Sequence, residues 1–257
     1  MDTSRRKLSY VQISRAIAIV FVLLGHVNIL FYNEFKYNWF HMGEWKRTGG
    51  VDFFFIVTGF MIYYIYQKYV GVSGKAAQFF VKRLIRIYPL YWIFTILTIA
   101  ASIIFPGIDE PVTWELIIKS ILILPSEPIL ASTWSLSFVV FFYILFSLYM
   151  YKPKLFTPVI LCWTIVLALI ELKIIPYQGD SFLLSFSNLE ILLGCLVAYL
   201  TLHFNFRYSS FLILGGILGY MAVWINNIYR LNELQTPVCY CLFSMMIMLG
   251  ISEKDKK

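Results

Sequence analysis

Residues 15–26 read RAIAIVFVLLGH. Ten uncharged, almost wholly apolar residues stand between an arginine and a histidine. A run this apolar belongs in hydrocarbon, yet a guanidinium opens it and an imidazole closes it. The apolar part decides the fold class, and the two polar ends raise the question of function.

The rest of the chain continues the apolar theme. Its 257 residues are 60% hydrophobic and 14% charged, with a mean hydropathy of +0.76. Soluble domains carry about 25% charged and about 45–50% apolar residues. No soluble core of this size hides so much apolar surface, so residues 1–257 read as a single integral membrane domain. A spanning helix needs about 20 mostly apolar residues. This predicts an all-α polytopic protein with eight transmembrane helices, at 11–32, 50–69, 86–105, 134–151, 155–175, 183–202, 209–227 and 237–251. The stretch 114–124, WELIIKSILIL, is too short to span comfortably. Held between Pro111 and Pro125, it is predicted to be an interfacial or re-entrant helix.

The formal charge of +7 would suggest nucleic acid in a soluble protein. Here the basic residues flank apolar spans, so they report topology and no nucleic-acid partner is expected. With the N-terminus inside, 15 of the 21 Lys and Arg residues face the cytoplasm, leaving Lys36, Lys46, Arg47, Lys119, Lys173 and Arg230 outside. The expected topology is N-in, C-in. Arg5, Arg6 and Lys7 before the first apolar run resemble a signal-peptide flank, but no A-x-A-like site follows. The segment is read as an uncleaved first helix. The four cysteines, Cys162, Cys195, Cys239 and Cys241, form no metal-binding spacing and read as small buried hydrophobes. No metal site is expected.

Ionisable groups inside a bilayer cost about 2.5–3.5 kcal/mol each at a helix centre and usually face a polar cavity. Arg15 and His26 lie eleven residues apart, which in a helix is about 20° past three turns and about 16 Å along the axis. They share one face. Taken singly, Arg15 reads as a snorkelling arginine and His26 as an interhelical hydrogen-bonding group; together they suggest one polar track. Asp52, in GGVDFFFIVTGF, is either a first-turn carboxylate favoured by the helix dipole or the group that orients His26. Helix positions put the two within about 6 Å in depth. Arg83 and Arg86 are i, i+3 neighbours at the inner mouth of the third span, as positive-inside anchors or as a fork for phosphate. Pro89, Tyr88, Tyr91 and Trp92 fit a kinked interfacial helix start. Glu190 inside the sixth span is a paired structural carboxylate or a second partner for His26. Trp134 reads by default as a belt aromatic.

These residues resemble one family. R-x10-H as RAIAIVFVLLGH, the GVDFFFIVTGF block, the R-x-x-R of RLIRIYPLYW, WSLSFVVFFY and, more weakly, LEILLGCLVAYL follow the order seen in the acyltransferase-3 family of integral membrane acyltransferases. The resemblance covers most of the first 200 residues. It implies that acyl-CoA, often acetyl-CoA, is the co-substrate, with no permanently bound cofactor. The acceptor would be a hydroxyl of a cell-surface carbohydrate or lipid-linked glycan at the bacterial cytoplasmic (inner) membrane. It carries required roles onto Arg15, His26, Arg83 and Arg86. Family members usually have about ten spans, so the last two are expected to be absent here. Val139 and Val140 stand where glutamates usually follow the WSLS block.

The expected mechanism joins these pieces. Arg83 and Arg86, with Arg15 nearby, hold the CoA phosphates, and the pantetheine arm runs along the first helix. His26 is general base or transient acyl carrier, oriented by Asp52 or Glu190. Trp134, Ser137 and Tyr143 position the acceptor. Two other readings stand beside this one. A sugar transporter or flippase would also need intramembrane polar residues, but the sequence lacks the repeated halves common in secondary transporters. An inactive scaffold would fit Val139, Val140 and the short C-terminus. The oligomeric state is left open.

Overall fold

The computed structural model describes residues 8–45, 47–104, 113–125, 129–130, 133–232 and 234–256. Arg5, Arg6, Lys7, Lys46, Pro111 and Lys257, used above for topology and for the short helix, lie outside the described residues. Among the described residues all regular structure is helical: α1 (Ser9–Phe35), α2 (Gly50–Tyr66), α3 (Lys75–Ile104), α4 (Trp114–Ile121), α5 (Trp134–Tyr151), α6 (Pro153–Glu171), α7 (Phe186–His203), α8 (Ser209–Tyr229) and α9 (Thr236–Asp255). All except α4 are long and apolar enough to cross a membrane, giving eight candidate spans among the described residues. Large side chains such as Ile85, Leu90, Ile96 and Phe211 are exposed. In a bilayer these faces meet lipid, so their exposure is no liability. Cys162 is also exposed, a departure from the buried role expected of it, because its helix α6 turns most of its surface outward.

The third span differs from expectation. Hydropathy placed its start at residue 86, whereas α3 begins at Lys75. Hydropathy detects what enters hydrocarbon, while Ala76, Ala77, Gln78, Lys82 and Arg83 are mostly good helix formers that extend the helix past the apolar limit. At 30 residues α3 is about 45 Å long, against about 30 Å of hydrocarbon.

The chain divides into two compact units, residues 1–66 with 186–257 and residues 67–185. In the first unit, α2 packs most extensively on α7 and α8 on α9. Glycines allow both pairs to approach at the backbone. A Cβ added at Gly59 would lie 1.9 Å from the Ile191 carbonyl oxygen, and one at Gly194 would lie 2.2 Å from that of Ile56. Small residues at membrane helix crossings serve this purpose, since packing rather than water exclusion drives association in lipid. Phe55, Ile56 and Phe60 of α2 are fully buried as a result. At one end of this unit both Asp255 carboxylate oxygens accept hydrogen bonds, from the Tyr10 and Val11 amides, at 3.0 Å each. The end of α9 thus caps the start of α1 with a negative charge, satisfying two orphan donors. The start of α1 and the end of α9 therefore share one side of this unit.

In the second unit, α4 docks on α3 through its own exposed carbonyls. Tyr88 Oη, Tyr91 Oη and Trp92 Nε1 donate to the carbonyls of Leu122, Ser120 and Ile121 at 3.0, 2.7 and 3.0 Å. These aromatics lie well inside α3, not at a kinked interfacial start, although Pro89 is within the helix. Backbone groups without partners are costly in lipid, so three ring donors at one helix end are an effective anchor.

Two outcomes follow from these contacts. Gly194→Leu forces a side chain into the Ile56 backbone. It is expected to destabilise the detergent-solubilised protein by about 1–3 kcal/mol or more; an unaltered thermal midpoint would contradict the close crossing. Tyr91→Phe removes the ring donor from the Ser120 carbonyl, which keeps the Ile123 amide at 3.0 Å; the loss should cost about 0.5–1.5 kcal/mol and speed amide hydrogen exchange across residues 113–125.

Candidate functional site

The first unit gathers Arg15, His26, Asp52 and Glu190. Helix α1 is unbroken from Ser9 to Phe35, so the eleven-step register between Arg15 and His26 holds: about 20° of rotation and about 16 Å of rise. The buried face of α1 carries Val11, Ser14, Ala18 and Asn28. Arg15 stands half-buried at its flank, its Nη1 donating to Gln12 Oε1 at 3.4 Å. His26 is exposed.

Asp52 and Glu190 come together without His26. Both are fully buried, Asp52 in the first turn of α2 and Glu190 in the second turn of α7. Arg47 reaches between them, with Nη1 2.9 Å from Asp52 Oδ1 and 3.9 Å from Glu190 Oε2. Two helix N-termini pointing at two carboxylates are electrostatically favourable, and the guanidinium supplies the countercharge that a buried pair needs. Since Arg47 lies near the starts of both α2 and α7, these helices run parallel from this corner. Arg47 itself is held by its neighbours. Trp224 Nε1 donates to the Thr48 carbonyl at 3.2 Å, and Tyr220 Oη donates to that of Gly49 at 3.1 Å. Tyr220 Oη also lies 2.6 Å from Ser244 Oγ. Gly49 has φ +84, and an added Cβ there would strike Tyr220 and Tyr240 within 3 Å; only glycine fits this left-handed turn between two rings.

The expected pairing of Asp52 with His26 is therefore corrected: Asp52 is bonded to Arg47. The depths differ too. Gly50 abuts the backbone of Val22, and Gly25 abuts the Thr48 side chain, so α1 and α2 run antiparallel with residue 50 level with residue 22. Counting toward the C-terminal end of α1, His26 lies about 9 Å beyond Asp52 along the axis, rather than within 6 Å. What the fold does bring together is the helix turn of His26 and the segment carrying Arg47. Sequence reasoning recorded Arg47 only as a positive charge on the outer side. The signal was present: two carboxylates at span starts need a cation, and the few outer-side cations were the candidates.

A cavity of about 330 Å³ in this unit is lined by Ile17 and Phe21 of α1, Phe53 of α2, and residues of α8 and α9. Ile17 is nine residues from His26, which is half a turn around the helix. This apolar cavity is thus on the opposite side of α1 from the Arg15–His26 track.

The second unit holds Arg83, Arg86, Trp134, Ser137 and Tyr143. The Arg83 guanidinium carbon is 5.7 Å from the Phe79 ring centroid and 6.0 Å from that of Tyr143. Phe79 and Tyr143 are buried and meet edge to face with centroids 5.9 Å apart, within the range of about 4.5–7 Å usual for such pairs. Arg83 is thus aimed by an aromatic clasp between α3 and α5, while Arg86, one turn on, is exposed. Ser137 is buried and its Oγ donates back to the Trp134 carbonyl at 2.9 Å. Trp134 packs edge-on against Phe138. Val139 and Val140 are buried as well, Val140 against Tyr91 and Ile123. No group of three His, Cys, Asp or Glu side chains able to hold a metal stands among the described residues.

Comparison with known proteins adds a chemical identity. An acyltransferase domain family, acyltransferase-3, matches residues 8–253. The exopolysaccharide production protein ExoZ of Rhizobium meliloti (strain 1021) is 29% identical over 133 residues, covering 45% of this chain and 40% of the relative. The chain thus matches less than half of that relative's length. No solved structure matches the chain.

The shared arginine makes a clear prediction. Arg47→Gln strands two buried carboxylates and is expected to destabilise the protein by about 3–5 kcal/mol. Adding Asp52→Asn should recover part of that loss. Denaturation of both variants and of Asp52→Asn alone gives the coupling; strict additivity would contradict the pairing.

Proposed function

The chain belongs to the acyltransferase-3 family of membrane acyltransferases, and from that premise we propose that it moves an acyl group, acetyl in the simplest case, from cytosolic acyl-CoA to a carbohydrate hydroxyl across the inner membrane. The observation that carries this reading is the intact register of α1, with Arg15 and the exposed His26 on one side of an unbroken membrane helix. A surface or lipid-linked glycan is the acceptor class that the similarity to an exopolysaccharide production protein supports.

The chemistry needs few groups. A thioester is already an activated donor. Neutral His26 accepts the proton of the acceptor hydroxyl as its oxygen attacks the thioester carbonyl. A C–O bond forms, the C–S bond breaks, and the departing CoA thiolate takes up the proton. In the covalent variant of the same reading, the His26 nitrogen attacks first, CoA leaves, and the hydroxyl then displaces the acyl group from the ring. Exposure suits both, because a base or nucleophile must touch its substrate. Arg83 and Arg86 neutralise phosphate charge that would otherwise resist leaving water. Tyr143 and Phe79 hold the direction of Arg83. The Arg47–Asp52–Glu190 cluster fixes the segment beside the His26 turn, so these carboxylates position the site.

His26→Ala in correctly inserted protein should lower acyl transfer by about 10²–10⁴-fold. A sharper test is geometric. Inserting one alanine between Arg15 and His26 turns the imidazole about 100° away from the arginine. Transfer from labelled acyl-CoA to a glycan acceptor should fall as far as in His26→Ala. Full activity in either variant would remove His26 from the mechanism.

A further inference from the structure

We propose that two lysine-bearing turns at one end of the second unit, residues 67–75 and 151–154, form a docking platform for the 3′-phosphorylated adenosine end of the acyl-CoA donor. The proposal rests on the donor reading above and adds residues to it that no family motif contains.

The two turns are tied to one another. The Gly71 amide donates to the Met150 carbonyl at 2.8 Å, and a Cβ at Gly71 would lie 3.8 Å from the Pro153 ring. Lys68 and Lys75 therefore share one end of the unit with Lys152 and Lys154. Their ammonium groups surround aromatic faces. Lys68 and Lys75 Nζ lie 5.2 and 5.6 Å from the Tyr69 ring centroid, and Lys152 Nζ lies 5.4 Å from that of Tyr151. Tyr151 is 68% exposed. No internal anion balances this end: residues 67–108 and 128–170 include no aspartate or glutamate.

Positive-inside topology accounts for lysines near a membrane. The interfacial aromatic belt accounts for tyrosines at that depth; neither rule sets ammonium groups over both rings, as here. A phosphate meets lysines as point charges, and a lipid headgroup would supply one. A nucleotide supplies phosphate together with a planar base that stacks on an exposed ring. The combination selects the nucleotide. Spacing along α3 agrees. Arg83 and Arg86 lie eight and eleven residues beyond Lys75, or about 12 and 16 Å along the helix. A CoA molecule laid on this end presents its adenosine 3′-phosphate to the platform, then its diphosphate to the arginines, then its thin arm.

The test is calorimetric titration of the full chain in nanodiscs with CoA and with 3′-dephospho-CoA. Wild type is expected to favour CoA. Lys75→Gln/Lys152→Gln/Lys154→Gln should lower CoA affinity by roughly tenfold or more while sparing dephospho-CoA, so that discrimination collapses. Tyr151→Ala should weaken both ligands, as should Arg83→Gln/Arg86→Gln. If the triple variant keeps both affinity and discrimination, the platform is overturned while the donor reading survives. If wild type binds neither ligand, the donor reading falls and takes the platform with it. If the triple variant binds CoA normally but loses thermal stabilisation by anionic-lipid nanodiscs, the patch serves lipid headgroups and the proposal is overturned.

Discussion

One guanidinium shared by two buried carboxylates organises the first unit. Asp52 and Glu190 have no solvent exposure, and an isolated buried carboxylate is too costly to keep charged. Arg47 makes their burial possible. Because Asp52 opens α2 and Glu190 lies in the second turn of α7, the same contact brings two helix N-termini to one corner and sets them parallel. Gly59 and Gly194 then let the two backbones close on each other further along. The corner and the crossing reinforce one another: without the ion cluster two helix starts would repel, and without the glycines they would splay.

The second unit relies on backbone satisfaction. α4 has eight residues, so its unpaired terminal carbonyls are a large share of its polar groups. Tyr88, Tyr91 and Trp92, within little more than one turn of α3, donate to three carbonyls at the end of α4. In water such carbonyls would find solvent. Near hydrocarbon they need protein partners, and ring hydroxyl and indole groups supply these without adding charge. The high aromatic content of the chain thus has a polar use as well as an apolar one.

The eight spans were legible because length and hydropathy alone decide what crosses a bilayer. The register of Arg15 and His26 was legible for the same reason, since a continuous apolar run guarantees a continuous helix. Contacts between helices were not. Asp52 looked like a partner for His26 because the two share an end of adjacent spans, but neighbouring depth does not select among competing cations. Arg47 won because it sits five residues before Asp52 on a segment that Tyr220 and Trp224 pin from a helix about 170 residues away. Nothing local in the sequence encodes that. The early start of α3 was hidden for another reason: charged helix formers carry helical propensity without hydropathy.

The distribution of charge separates two kinds of polar residue. Arg47, Asp52 and Glu190 are packed together, one guanidinium against two buried carboxylates, and Asp52 Oδ1 is already bonded to Arg47, which makes the cluster a strut. On a flank of α1, His26 is exposed and Arg15 half-buried. A group left unburied on a membrane helix adds little to its own unit's packing and is open to contacts outside it. A substrate is one such contact.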